Sequence, residues 1–170
     1  MDEAAHLPPP DWTAELRHIF ISAGHDYYGR QGEGRMQHGV TAPVEIECVA
    51  GMGLRGDRYF GSRPDSKGQV TFFDAETVEE VRRTFKLPKL PASVFRRNLI
   101  VAGISLADWK GRRFRFQGVE FEGTQECTPC IWMDRVVAPG TQSFLRERFR
   151  GGLRTKVITS GMLRVGSRAA

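Results

Sequence analysis

The sequence predicts a mainly β fold, a closed or partly open antiparallel β-barrel with a few peripheral helices. Two observations lead to this fold class. About eight short segments are rich in β-branched and aromatic residues, or alternate apolar with polar side chains, as strands do. Two segments have the spacing of amphipathic helices, and strands and helices do not alternate as they do in a parallel doubly wound sheet. The chain therefore fits a barrel better than a layered α/β fold.

The N-terminal part begins with an extended lead-in. Residues 1–15 are rich in proline and acidic residues, and we expect them to form no core of their own. The first strand is predicted at residues 16–23, within a single domain that covers residues 16–170. Residues 24–39 contain five glycines and are predicted to form a long loop. Its cationic side chains suit either a solvated surface loop or a cover over an anionic ligand: His25, Arg30, Arg35 and His38.

Cys48 is predicted to be an inert core thiol. It lies in residues 44–48, where apolar and acidic residues alternate, and it shares the apolar side of this strand with Val44 and Ile46. A cysteine in such a position behaves as a small buried hydrophobe.

A turn and a strand–helix unit follow. Residues 51–59 are a glycine-punctuated turn into a short strand, in which Asp57 and Arg58 face opposite ways. Residues 69–73 are predicted to form a strand, and Asp74 is predicted to cap the next helix. That helix has a regular apolar stripe: Val78, Val81 and Phe85.

The C-terminal half is predicted to supply most of the remaining strands. Arg96, Arg97 and Asn98 stand at the head of the first of them, and Gln117-Gly118 forms the turn of a hairpin. Thr141 is predicted to cap a short helix. The predicted strands are residues 96–101, 114–116, 119–126, 153–159 and 162–165.

Composition bounds the class of protein. A chain of 170 residues is long enough for one domain with a sizeable core, and its three cysteines, an odd number, argue against a secreted disulfide framework. We see no signal peptide and no apolar run long enough to span a bilayer, so we expect a cytoplasmic protein. The net charge is +5, and the segment from Arg96 onward has a balance of +8. The basic half suits either a solubilising surface or an anionic partner, which would be nucleic acid or a phosphorylated small molecule, although no helix-turn-helix or aromatic-rich signature supports nucleic acid.

Cys127-Thr128-Pro129-Cys130 is the main candidate for chemistry. Pro129 is predicted to end the strand before it, which places Cys130 at the end of a rigid support. Four interpretations are open: a dithiol redox centre, half of a zinc site, a single working thiolate at Cys130, or two buried hydrophobes. A redox motif normally opens a helix, whereas residues 131–133 lack a strong helix start. Structural zinc needs four ligands, and the sequence has no second cysteine pair.

Cationic side chains favour the single working thiolate. Arg96, Arg97 and Asn98 head one predicted strand, and Arg154 and Lys156 share a face of another. Cationic neighbours lower the pKa of a thiol and hold phosphate through forked hydrogen bonds. Such a pocket suits a ligand that joins a phosphate to a thiophilic centre. The alternative is that these residues coat the outside of the barrel.

A set of short motifs occurs in one order along most of the chain. The motifs are GLRGDR at 53–58, QVTFF at 69–73, RRNLIVAGI at 96–104, TPC at 128–130, GG at 151–152 and GMLRVG at 161–166. In this order they resemble the MOSC family, which is named for the C-terminal part of molybdenum-cofactor sulfurase. The resemblance implies a β-barrel that binds molybdenum cofactor or carries sulfur to it.

The resemblance also implies roles for particular residues. The family's single cysteine corresponds to Cys130, as a persulfide carrier or as the thiolate ligand of molybdenum. Asp57 and Arg58 are expected to brace the barrel mouth or touch the ligand. The residues expected to bind the phosphate or the pterin are Arg96, Arg97 and Asn98.

The partners that the resemblance implies depend on which role Cys130 has. A sulfur carrier meets a cysteine desulfurase, and any pyridoxal phosphate then belongs to that partner. A molybdenum protein meets an electron-donating reductase, since some relatives reduce N-hydroxylated compounds. A thiol–disulfide protein that uses Cys127 and Cys130 remains the alternative function.

Overall fold

The fold is mainly β, as predicted, with its largest sheet curled into a half-barrel. The computed structural model describes residues 10–25 and 38–166. The predicted loop at 24–39 therefore lies largely outside the described residues, as do Arg30, Arg35 and most of the lead-in.

Ten strands form two sheets in the described part of the chain. Seven strands lie in the order β1-β7-β8-β9-β5-β6-β2, and β10-β3-β4 form a small second sheet. The strands are β1 Asp11–Trp12, β2 Glu15–Ile19, β3 Glu45–Val49, β4 Gly53–Leu54, β5 Val70–Asp74, β6 Leu99–Ala102, β7 Arg113–Phe116, β8 Val119–Glu126, β9 Leu153–Val157 and β10 Gly161–Arg164. Most neighbours are antiparallel, but β5 with β6 and β1 with β7 are parallel.

The helices are short, and α1 packs against β5 and β6 of the large sheet. They are α1 Ala75–Thr84, α2 Trp132–Val136 and α3 Thr141–Arg146, with 3-10 turns at Ala92–Phe95 and Leu106–Trp109. Val78 and Val81 of α1 are buried as predicted. The helix α2 was not expected from the sequence, and Gly140 rather than Thr141 caps α3.

Two apolar clusters enclose the central strands. Phe72 lies at the centre of the inner cluster, edge-on to Phe114, Phe116 and Phe121 with ring centroids 5.1–5.6 Å apart. The neighbouring Phe73 points the other way, into an outer cluster with α1 and the 3-10 turn Ala92–Phe95. Successive side chains of β5 point to opposite faces, so this strand packs into both clusters.

The lead-in prediction is wrong for its last residues. Trp12 is 2% exposed and stacks on Phe114 with ring centroids 3.7 Å apart, and β1 pairs with β7. An indole of this size supplies a large apolar surface, which offsets the cost of ordering the segment. The apolar core therefore includes Trp12.

Two other predictions need correction. Val44 is 75% exposed because β3 begins at Glu45, so the apolar side of that strand is formed by Ile46 and Cys48. The strand predicted at 96–101 begins at Leu99, because Arg96 has a left-handed backbone with φ of 54°. The hairpin at Gln117-Gly118 is confirmed, and both residues have positive φ as its two-residue turn requires.

Candidate functional site

Cys130 has an exposed thiol on a supported loop. The strand β8 ends at Glu126, and the backbone N–H of Cys127 then donates to the carbonyl of Gly152 at 2.8 Å. Cys127 is 6% exposed and Pro129 is buried, whereas Cys130 is exposed. Cys130 is also fixed on its C-terminal side, because the N–H of Met133 donates to its carbonyl at 3.0 Å. The loop thus presents one of its two sulfur atoms to solvent.

Arg97 is anchored beside this loop through Gly151. Its Nε donates to the carbonyl of Gly151 at 3.0 Å, and its guanidinium lies 5.9 Å from the Phe73 ring centre. Gly151 itself packs against the cysteine loop: a Cβ added there would lie 2.1 Å from the carbonyl oxygen of Cys127. The structure therefore brings Arg97 and the Cys127–Cys130 segment to the same piece of backbone.

Arg96 lies in a different cluster, at the stem of the loop that begins at residue 24. Its Nη2 donates to Ser22 Oγ at 3.1 Å and to the carbonyl of Gly24 at 2.9 Å. Arg96 has a left-handed backbone, and its side chain makes its hydrogen bonds at a different place from that of Arg97. A cationic pocket around Cys130 that uses both arginines stays a prediction.

Asp57 and Arg58 belong to the Arg96 cluster. Asp57 is 6% exposed and accepts hydrogen bonds from the N–H groups of Ser22 at 3.0 Å and Tyr59 at 3.2 Å, so its carboxylate braces the stem. The Arg58 side chain is 9% exposed, with Nη2 at 3.4 Å from the Arg96 carbonyl and Nη1 at 3.4 Å from Asp57. Its Nε is buried without a hydrogen-bond partner. A buried donor of this kind costs free energy until an acceptor reaches it.

His25 completes the cluster, which we call the stem cluster: Ser22, His25, Asp57, Arg58 and Arg96. Its ring meets Tyr59 edge-on, with ring centroids 5.1 Å apart. Burial lowers the pKa of His25, and the charges of Arg58, Arg96 and His38 act in the same direction, against Asp57. Sequence analysis placed His25 in a glycine-rich loop and gave no reason to pair it with Arg58.

Asn98 is buried between strands and makes structural contacts. Its Oδ1 accepts from the N–H and the hydroxyl of Thr71 at 3.0 and 3.1 Å, and its Nδ2 donates to the carbonyl of Phe20 at 3.1 Å. Asn98 has 2% of its surface exposed, and its contact with phosphate or pterin stays a prediction.

The two cysteines of the dithiol interpretation have different surroundings, because Cys127 is buried and Cys130 is exposed. A helix does follow the motif, contrary to the sequence prediction, but the two thiols differ in exposure and are both free.

Two other expectations concern metal and the strand β9. Among the described residues, no three His, Cys, Asp or Glu side chains are grouped so that they could hold a metal ion. Arg154 and Lys156 share the outer face of β9, where the ammonium of Lys156 donates to Asp65 at 2.5 Å. Lys156 therefore lies on the outside of the barrel, which is the alternative to a place in the cationic pocket.

An acidic groove lies at the carboxyl end of β5 and was not predicted from the sequence. It has a volume of about 270 Å³ and lies between the start of α1, residues 104–107 and residues 148–150. Burial, and then Glu76 and Glu80, raise the pKa of Asp74 to about 7. Asp74 is the N-cap residue of α1, as predicted, but its side chain makes no capping hydrogen bond. Three distant segments form the groove, so no local pattern signals it.

Comparison with solved structures finds proteins that share this fold. The YuaD protein from Bacillus subtilis has a TM-score of 0.69 at 17% identity, covering 91% of this chain and 93% of its own. YiiM from Geobacillus stearothermophilus has a TM-score of 0.62 at 12% identity, with coverage of 91% and 73%. YiiM from Escherichia coli has a TM-score of 0.56 at 16% identity, with coverage of 91% and 72%. A search of curated proteins finds no match.

The fold is thus a half-barrel that carries an exposed cysteine on a loop held by backbone hydrogen bonds. The MOSC domain model matches residues 55–169, which is more than half of the chain. The chain belongs to the MOSC domain family, a family associated with molybdenum cofactor. The helices in the described part of the chain are too short or too polar to cross a membrane.

Proposed function

We propose that this protein binds molybdenum cofactor, with the Cys130 thiolate as the ligand of molybdenum and with arginines holding the anionic part of the cofactor. The observation that carries the proposal is that Cys130 is exposed, whereas Cys48 and Cys127 are buried. A thiolate is a soft ligand that suits a sulfur-rich molybdenum centre. The cofactor would supply two-electron redox chemistry, such as the reduction of an N-hydroxylated compound.

The arginines fit the anionic part of the cofactor in two places. Arg97 lies beside the cysteine loop, where its guanidinium is anchored on Gly151. Arg58 is buried with an unpartnered Nε, and the Arg96 guanidinium is held at the same stem. A phosphate oxygen would be a strong hydrogen-bond acceptor for the buried Nε of Arg58. Asp57 and Asn98 then act indirectly, because they fix the backbone that carries these arginines.

The proposal is tested by the metal and pterin content of freshly purified protein from a host that makes the cofactor. We expect molybdenum and pterin together in the wild-type protein and in Cys127→Ala, and neither in Cys130→Ala. Cys127→Ala is the matched control, since it removes a sulfur three residues away that is buried. Equal molybdenum and pterin in Cys130→Ala would contradict the assigned role.

A sulfur carrier is the second candidate, and the exposure of Cys130 is what favours it. A carrier thiolate attacks the persulfide of a desulfurase, takes its outer sulfur and leaves the donor cysteine as a thiolate. Incubation with a desulfurase that contains pyridoxal phosphate, and with free cysteine, should then add the mass of one sulfur atom to Cys130. If protein that binds molybdenum does not gain the mass of a sulfur atom, the result would favour Cys130 as the ligand of molybdenum.

A further inference from the structure

His25 lies where two buried or half-buried arginines meet. Arg58 covers the Tyr59 ring at 4.6 Å, and His25 meets the same ring edge-on at 5.1 Å. Arg96 reaches this stem through its hydrogen bond to Gly24, the residue before His25. His25 and Arg58 thus contact the same ring, and Arg96 is bonded to the backbone beside His25.

The stem cluster contains a guanidinium nitrogen that lacks a hydrogen-bond acceptor. The Nε of Arg58 is buried and unpartnered, and the two hydrogen bonds that its other nitrogens make are both 3.4 Å long. Asp57 contacts Arg58 only through Nη1, and its two oxygens also accept from the N–H groups of Ser22 and Tyr59. An anion with several oxygens would satisfy these donors.

We infer that His25 is a proton-linked ligand of an anion site formed with Arg58 and Arg96. The site takes a tetrahedral dianion, a sulfate or a phosphate monoester, and His25 gains one proton from solvent when the anion binds. No covalent bond is made or broken in this step. The natural anion, a terminal phosphate, rests on the proposed function, whereas the site itself does not.

The direction of the linkage follows from the charges around His25. Burial, Arg58, Arg96 and His38 lower its pKa below 6.5, so the ring is neutral at pH 8 when no anion is present, although Asp57 opposes this effect. A bound dianion favours the charged imidazolium. Anion affinity should therefore rise as the pH falls, and binding near neutral pH should take up protons.

Sulfate is the best probe, because it does not titrate between pH 5 and 8. Calorimetric titration of the full chain should show sulfate binding several-fold more tightly at pH 5.5 than at pH 8, with proton uptake seen by comparing two buffers. His25→Gln should bind equally at both pH values, with the weaker affinity of the wild type at pH 8. The matched control is His18→Gln on β2, an exposed histidine whose pKa is also lowered, and it should behave as wild type.

Two arginine variants separate the anion site from its proton linkage. Arg58→Gln should weaken sulfate binding at both pH values, and Arg58→Lys, which keeps the charge, should weaken it less. A pH dependence that survives His25→Gln, or that disappears only in His38→Gln, would overturn the inference. Proton-linked sulfate binding without molybdenum retention would contradict the proposed function alone, and molybdenum retention without sulfate binding would contradict this inference alone.

Discussion

At the scale of single residues, burial decides which of three chemically identical thiols is available. Cys48 is fully buried, and burial followed by the charge of Glu47 raises its pKa to about 12, so it is protonated at neutral pH. Cys127 is tied into the sheet, and Cys130 reaches solvent three residues later. Two arginines that are adjacent in sequence are separated in a similar way, because φ is positive at Arg96.

Asn98→Ala should lower the free energy of unfolding by about 3 kcal/mol, because it leaves the buried N–H of Thr71 and the carbonyl of Phe20 without a partner and removes the acceptor of the Thr71 hydroxyl. Urea denaturation measures the change. Ser143→Ala, at an exposed position of α3, is the control and should change stability by less than about 0.5 kcal/mol. Equal effects of the two substitutions would show that Asn98 does not brace the strands.

Asp74 should make stability depend on pH. Its pKa is about 7 in the folded protein against an ordinary 3.8, so folding favours the protonated form. The contribution is complete below about pH 4 and is lost as pH rises through 7. Asp74→Asn should therefore be more stable than wild type by about 1–3 kcal/mol at pH 8.5 and nearly equal at pH 4. An equal difference at both values would exclude this ionisation as the cause.

At the scale of elements, the Gly151-Gly152 segment connects the cysteine loop, β5 and Arg97. The carbonyl of Gly152 holds the N–H of Cys127, and a Cβ on Gly152 would lie 2.5 Å from the carbonyl oxygen of Phe72. Because the two glycines have no side chains, their backbone can lie close to the backbones of Cys127 and Phe72. This close approach positions Cys130 without any direct contact to its sulfur.

Gly151→Ala should destabilise the fold by about 3 kcal/mol or more, because its Cβ would collide with the carbonyl of Cys127. Gly103→Ala is the matched control. Its φ of 87° carries a backbone cost of about 1 kcal/mol, but no atom lies within 4 Å of the added Cβ. Denaturation gives the stabilities, and the reaction of Cys130 with a thiol reagent should change rate in Gly151→Ala alone. Unchanged rates in both would show that Gly151 does not set the loop.

At the scale of the whole molecule, sequence patterns predicted the fold better than the site. Alternation in β8 and the Gln117-Gly118 turn are local, so the hairpin and the β class follow from short segments. The separation of Arg96 from Arg97 depends on one backbone angle, and the acidic groove depends on three distant segments. Trp12 was missed because a two-residue strand carries no periodicity, although its burial fixes one edge of the large sheet.

Trp12→Ala should lower the free energy of unfolding by about 3–5 kcal/mol, because it removes the aromatic partner of Phe114 in the inner cluster. Trp12→Phe should cost much less, since the Nε1 of Trp12 is buried without a hydrogen-bond partner and its loss leaves no acceptor unsatisfied. Calorimetry should show one transition in each variant, as one domain requires. A separate low-temperature transition in Trp12→Ala would mean that β1 is not part of the cooperative unit.

The most direct test of the whole account is the number of sulfur atoms bound to molybdenum, measured by X-ray absorption at the metal edge. Wild-type protein loaded with cofactor should show one more sulfur neighbour than Cys130→Ser, in which an oxygen replaces the thiolate. Cys127→Ser should match the wild type, because that residue is buried. An identical sulfur shell in wild type and Cys130→Ser would contradict the claim that Cys130 is the molybdenum ligand.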